Sequence, residues 1–261
     1  MSNILIVTDL EGLTAVADKE PIKNENSIEY QTARKHLMHE TNLAVSALID
    51  AGASLVYVFD GHASGKNFIP NTLDGRAVQV WGNDLSWVME EVEGIVMLGA
   101  HAKVGSNGFF SHTLMWEEFK DYRHNGTTVS ETDIESTYAG MFDVPCIAIT
   151  GDNYACREAE SKYQGIKTAV VKTAISRDKA EPLPQEEADK LIYSAMVNGF
   201  ENRKNVKPLK EEFPLTIEVE FSTENDLKKW CGSRTDITIN GLNAKTVKQK
   251  EDIKNYYDLM L

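Results

Sequence analysis

Five short apolar runs constrain this chain more than any other feature: Ile4–Val7, Leu55–Phe59, Ile95–Leu98, Cys146–Thr150 and Thr168–Val171. Each is continuous rather than alternating, and they are set off by Gly, Asp or Asn. A strand that is apolar on both faces must be covered on both faces, which is the condition of a parallel sheet. Stretches with helical spacing lie between the runs. The clearest is Ser27–Ala51, with Leu37, Thr41, Ala44 and Leu48 on one face and Gly52 placed to end it. Asp84–Val92, Glu131–Met141, Asn153–Tyr163 and Gln185–Asn202 are further expected helices. Strand and helix therefore alternate, and the expected fold is α/β: a mostly parallel sheet with helices on both faces and right-handed crossovers.

The character of the chain changes at the charged, proline-bearing connector Lys204–Pro214. Beyond it, Leu215–Phe221 alternates, with Leu215, Ile217, Val219 and Phe221 on one face, and Thr235–Asn240 does so too. With expected helices at Asn225–Cys231 and Gln249–Met260, these one-sided strands point to a smaller C-terminal α+β subdomain. The expected division is residues 1–204, an α/β domain, and residues 205–261, the α+β subdomain. No internal repeat is visible.

Composition narrows the function classes. A net charge of −13 argues against nucleic acid as a partner, because phosphates call for a basic face. It equally disfavours docking on anionic lipid. No stretch approaches the roughly 18 apolar residues of a membrane span. The chain enters Asn3-Ile4-Leu5-Ile6-Val7 without a basic segment before it, and Cys146, Cys156 and Cys231 are scattered like reduced core thiols. A cytoplasmic location is the resulting expectation.

Ligands of open α/β sheets bind beyond the carboxyl ends of the strands. Asp9 and Glu11 follow the first run, Asp60 and His62 the second, and His101 the third, with His112 eleven residues further on. Asp152 closes the fourth, and Lys172 follows the fifth. Two neighbouring carboxylates at the end of a buried strand repel each other and need a counter-charge. Carboxylate oxygens with imidazole nitrogens form the donor set of Zn²⁺, Mn²⁺ or Fe. A divalent cation is thus the counter-charge that the pattern calls for. His36, His39 and Glu40 read as a solvated face of the long helix, and His124, beside an Asn-Gly turn, as exposed.

The ordered series VTDLEG, DGHASG, LGAHA, SHT and SETDIESTYAGMFDVPCIAITGDN resembles the D-aminopeptidase family, peptidase family M55. The likeness continues through AISRDKAEPLP and NVKPL and weakens past Pro214. It implies a hydrolase with two zinc ions per subunit. Carried over, Asp9 bridges both metals, Glu11 and His101 complete one site, and His62 and Glu131 the other. Strand ends alone do not single out Glu131, which otherwise reads as the first-turn acid of a helix. His112 matches the family's catalytic histidine. Asp60 is expected to orient a ligand or its loop. Ser130 stands where the family has glycine and Glu135 where asparagine is expected, so both are assigned to the substrate pocket. The family also forms stacked rings, which implies a homo-oligomeric ring, a stacked-ring decamer.

The implied reaction releases the N-terminal, D-configured residue of a short peptide or amino-acid amide. Zinc lowers the pKa of a bound water from 15.7 to about 7, so hydroxide would be available at neutral pH. His112 would transfer a proton or support the oxyanion. Two other readings compete. IVTDLEG and TGDN also look like a magnesium phosphohydrolase of haloacid-dehalogenase type, although Glu11 stands where its second aspartate belongs. A non-catalytic peptide-binding protein on the same fold is the third.

Overall fold

The computed structural model describes residues 2–261. The first half of the chain forms β1 (Asn3–Thr8), α1 (Glu20–Lys23), α2 (Ile28–Asp50), β2 (Leu55–Asp60), β3 (Ala77–Val80), α3 (Ser86–Met89), β4 (Val92–Ala100), β5 (Phe119–His124) and β6 (Thr127–Thr128). There follow α4 (Glu131–Gly140), β7 (Cys146–Asp152), α5 (Asn153–Lys162), β8 (Lys167–Ser176), β9 (Lys179–Pro182), α6 (Gln185–Asn202), β10 (Leu215–Phe221), α7 (Glu224–Cys231), β11 (Thr238–Asn240) and β12 (Asn243–Lys248).

The larger sheet has the order β3-β2-β1-β4-β7-β8-β9. Its pairs are parallel except for the edge hairpin of β8 and β9. The chain winds outward from β1 to β3, then crosses to β4 on the other side of β1 and continues to β8. Strand order thus reverses between β1 and β4, where an open α/β sheet leaves a crevice beyond its carboxyl ends.

Burial on both faces explains the continuous apolar runs. Every residue of β1 is buried. Ile4 and Ile6 share one apolar cluster with Leu37 and Leu48 of α2 and Ile192 and Phe200 of α6. Leu5 and Val7 share another with Ile134 and Tyr138 of α4 and with Ile217 and Val219 of the second sheet. In α2, Ser27 Oγ accepts the Tyr30 N–H at 2.9 Å to cap the first turn, and Gly52, at φ +106°, turns the chain after the last. The expected face of Leu37, Thr41, Ala44 and Leu48 is buried.

The second sheet is antiparallel, in the order β11-β12-β10-β5-β6. As its alternation indicates, β10 buries Leu215, Ile217, Val219 and Phe221 and leaves Thr216, Glu218 and Glu220 half-buried. The sheet is not built from residues 205–261 alone, because β5 and β6 come from the segment before α4. A boundary at residue 204 divides the chain but not this sheet.

Three expectations change here. Gln249–Met260 is not a helix but two short 3-10 turns, Lys250–Asp252 and Tyr256–Leu259. Asp252 takes the Gln249 N–H and Asp258 those of Lys254 and Asn255, so local side chains compete successfully with helical bonding. Asp84–Val92 is helical only over Ser86–Met89, since Val92 already belongs to β4. His124 is buried, not exposed, with Nε2 bonded to the Leu259 carbonyl at 3.1 Å. It sits on the inward face of β5 with Tyr122, and burial lowers its pKa to about 4. All three cysteines are free and buried.

Candidate metal centre

Asp9, His62 and His101 leave the carboxyl ends of three adjacent strands, β1, β2 and β4, at the reversal point. Two glycines let the segment after β1 lie against the end of β4. A Cβ on Gly12 would stand 2.1 Å from the Ala100 carbonyl oxygen, and one on Gly99 2.3 Å from the Asp9 carbonyl oxygen. Gly99 also has φ +79°. Only hydrogen side chains permit this interlock, and it brings Asp9 up to His101. Glu131 arrives from the opposite side as the first residue of α4, whose Ser130–Asp133 capping box fixes the helix start.

The side chains converge in two groups, Asp9–Glu11–His62 and His101–His112–Glu131. His62 Nδ1 lies 3.0 Å from Asp9 Oδ1 and 2.9 Å from Glu11 Oε2. His101 Nε2 lies 3.5 Å from Asp9 Oδ2 and 3.2 Å from Glu131 Oε1. Asp9 therefore turns one oxygen to each group. In these contacts Glu11 lies with His62, and Glu131 with His101, whereas the resemblance assigns Glu11 and His101 to one metal and His62 and Glu131 to the other. His62 leaves the strand next to β1, whereas Glu131 opens a helix that approaches from the β4 side.

His112 lies on the connection from β4 to β5. Its Nδ1 bonds to the Phe110 carbonyl at 2.7 Å. A carbonyl only accepts, so Nδ1 carries the proton and Nε2 presents a lone pair, 3.6 Å from Glu131 Oε1. That connection is held by Asp152, which caps α5 and also accepts the Phe109 N–H at 2.6 Å.

The electrostatics are those of crowded acids and imidazoles. Burial raises the pKa of Glu11, and the neighbouring Asp9 charge adds to it. Burial opposes ionisation of Asp9 as well, yet its His62 hydrogen bond and the His101 charge bring its pKa below the usual carboxylate range. Burial works against charge on His101, but Glu131 outweighs it and lifts the pKa to about 10. On His112, burial and the His101 charge act together and lower it to about 4.

Other residues singled out from the sequence have supporting places. Asp60 accepts both the backbone N–H and the side-chain amide of Asn67, at 2.6 and 2.9 Å, and so fixes the loop that carries His62. Ser130 spends its hydroxyl on the α4 cap and lines a cavity of about 320 Å³ beside His101. Glu135, one turn after Glu131, lines a small cavity with Asp9, Gly61 and His101. Burial, with Glu131 and Asp9 nearby, pushes its carboxyl well above the ordinary range, and its Oε2 has no hydrogen-bond partner. His39 is exposed and paired with Asp189. Glu40, expected on the same solvated face, is fully buried and accepts the Thr14 N–H at 2.9 Å. Lys172 lies within β8 rather than after it and is fully buried.

The donor set fits a divalent transition metal. Three carboxylates and two imidazoles offer hard and intermediate donors. Each of the two groups brings three such donor atoms within 4.8 Å of one another, close enough to share one cation.

The sequence profile of the D-aminopeptidase family, peptidase family M55, matches residues 2–260. The chain belongs to this family of hydrolases. A curated D-aminopeptidase of Bacillus subtilis (strain 168) is 25% identical over 258 residues, covering 97% of this chain and 93% of that one. Among solved structures, the Zn-dependent D-aminopeptidase DppA from Bacillus subtilis, described as a self-compartmentalizing protease, superposes with a TM-score of 0.89. It shares 23% identity and is covered to 93%, with 98% of this chain aligned, and at that identity the likeness speaks for the fold. Among the described residues, no helix is long and apolar enough to cross a membrane.

Proposed function

We propose that this protein is a zinc aminopeptidase that holds two zinc ions per subunit and releases the N-terminal, D-configured residue of short peptides or amino-acid amides. The observation that carries this reading is the split of Asp9, with Oδ1 toward His62 and Oδ2 toward His101, one histidine from each group. Asp9 would bridge the pair, Glu11 and His62 would hold one ion, and His101 and Glu131 the other. Bound zinc supplies a Lewis acid and a water acidic enough to act near neutral pH.

The chain's own residues supply the rest. His112 is neutral and oriented, with Nδ1–H held by the Phe110 carbonyl. Its Nε2 takes the proton of the attacking water and returns it to the leaving amine. Glu135 and Ser130 line the space beside the centre and contribute to substrate choice. The three imidazoles would have no task in a magnesium phosphohydrolase, and a binding-only protein has no use for an oriented proton carrier. The self-compartmentalizing character described for DppA supports a homo-oligomer, which by the family resemblance would be a stacked-ring decamer, in the cytoplasm.

Metal quantitation with a panel of D- and L-aminoacyl amides and dipeptides tests the reading. Two zinc ions per chain, loss of turnover on chelation and its return with zinc are expected. A fully loaded sample without a transition metal, or with phosphatase activity dependent on Mg²⁺, would overturn it.

A further inference from the structure

The fully buried ammonium of Lys172 serves no step of the reaction above, yet it touches both segments that carry the site. Its Nζ donates to the backbone carbonyls of Glu11, Leu13 (2.9 Å) and Val16 (2.6 Å). It also lies 4.6 Å from the ring centroid of Phe109, on the connection that bears His112. Lys172 is on β8, separated from β1 by two strands, β4 and β7.

The chemistry of the contact is specific. Three carbonyls turned toward one buried point call for donors, and a lysine ammonium has three N–H donors and no acceptor; the Leu13 carbonyl takes the Val16 N–H as well, at 3.1 Å. Donors and acceptors match, which also leaves Lys172 without a free proton for catalysis. The loop so held carries Asp9 and Glu11, whose charges repel and would drive a slack loop open. From the other side, Glu40 of α2 accepts the Thr14 N–H at 2.9 Å.

We propose that Lys172 is a positioning residue of the metal centre: by gathering the Glu11, Leu13 and Val16 carbonyls it presets the loop so that Asp9 and Glu11 face the histidines before metal binds. This rests on the zinc-centre reading above. Removing partners that orient metal ligands typically costs 10- to 100-fold in metal affinity.

The test is zinc affinity, measured by competition with a chelator, for wild type and Lys172→Met, with melting of both apoproteins as the control. A zinc Kd raised about 10- to 100-fold in a folded Lys172→Met supports the proposal. A lower melting temperature with unchanged Kd marks a merely structural lysine and overturns it. A wild type that holds no zinc is a different failure, that of the metal centre itself. If Lys172→Met does not fold, hydrogen exchange on the wild-type apoprotein decides. Protection of the Gly12, Thr14 and Val16 amides without zinc supports a preset loop, and free exchange that slows only on adding zinc overturns it.

Discussion

The imidazole rings of His101 and His112 stack 4.0 Å apart and 4° from parallel, and both Nε2 atoms point at Glu131 Oε1, at 3.2 and 3.6 Å. The two rings are nonetheless driven in opposite directions. Glu131 overcomes burial at His101, whereas burial and the His101 charge keep His112 neutral. Neighbouring groups whose protonation is pushed apart divide the work between them. A cation bound at His101 would have to displace its proton, while His112 keeps the neutral imidazole that a proton carrier needs.

Replacing His112 by Ala should therefore leave the metal content unchanged and lower kcat by about a hundredfold or more. Metal analysis beside steady-state rates checks this. Unchanged turnover would remove His112 from the mechanism.

Glu135→Asn should change what the site accepts without changing what it binds as metal. Its carboxyl borders the same small cavity as Asp9 and Glu131. We expect relative kcat/KM values across the D- and L-amide panel to move by about tenfold, a pocket-contact effect of ordinary size. Identical ratios in variant and wild type would place Glu135 outside the pocket.

Gly12→Ala should be costly because the new Cβ would meet backbone, at 2.1 Å from the Ala100 oxygen and 2.3 Å from the Gly99 carbonyl carbon. A loss of about 2–4 kcal/mol in urea unfolding is expected, with weaker zinc binding. Gly75→Ala, which has open space around its Cβ, is the control and should stay within about 0.5 kcal/mol of wild type.

Glu40 gives a pH dependence of stability. Burial, only partly offset by its bond from Thr14, raises its pKa from 4.5 to about 7. Between those values the folded chain keeps a proton that the unfolded chain has released, so its contribution falls as pH rises and levels off above about 7. The full effect is about 3 kcal/mol. Denaturant unfolding from pH 4.5 to 8 should show wild type losing stability relative to Glu40→Gln, whose amide oxygen still accepts from Thr14. Parallel curves would show that Glu40 ionises freely in the folded chain.

Much of the layout was written in local pattern. Continuous apolar runs identified the central strands, and the cap and spacing of Ser27–Ala51 placed α2 to within a residue. Carboxylates and imidazoles at strand ends marked the site, since that is where a parallel sheet opens. Glu131 carried no such signal, because an acid in a helix's first turn has an ordinary explanation. It entered through family resemblance alone. His124 and Glu40 read as surface residues because an Asn-Gly turn and a charged helix segment normally are. Burial came from elements far along the chain that covered them: the Tyr256–Leu259 turn over His124, and the Asp9–Val16 loop over Glu40.

What the sequence determined by itself is the central strands β1, β2, β4, β7 and β8, with β10 beyond them, and the chemical kind of the residues at their ends, for these follow from periodicity and side-chain type; β3, β5, β6, β9 and β12 are too short or too polar to show in the pattern. Which carboxylate faces which imidazole was decided only in three dimensions. Glu11 joined His62 and Glu131 joined His101 because strand order puts β2 and β4 on opposite sides of β1, a relation that no local pattern encodes. The same holds for Lys172, whose three carbonyl partners lie more than 150 residues away and meet it only when β8 has found its place in the sheet.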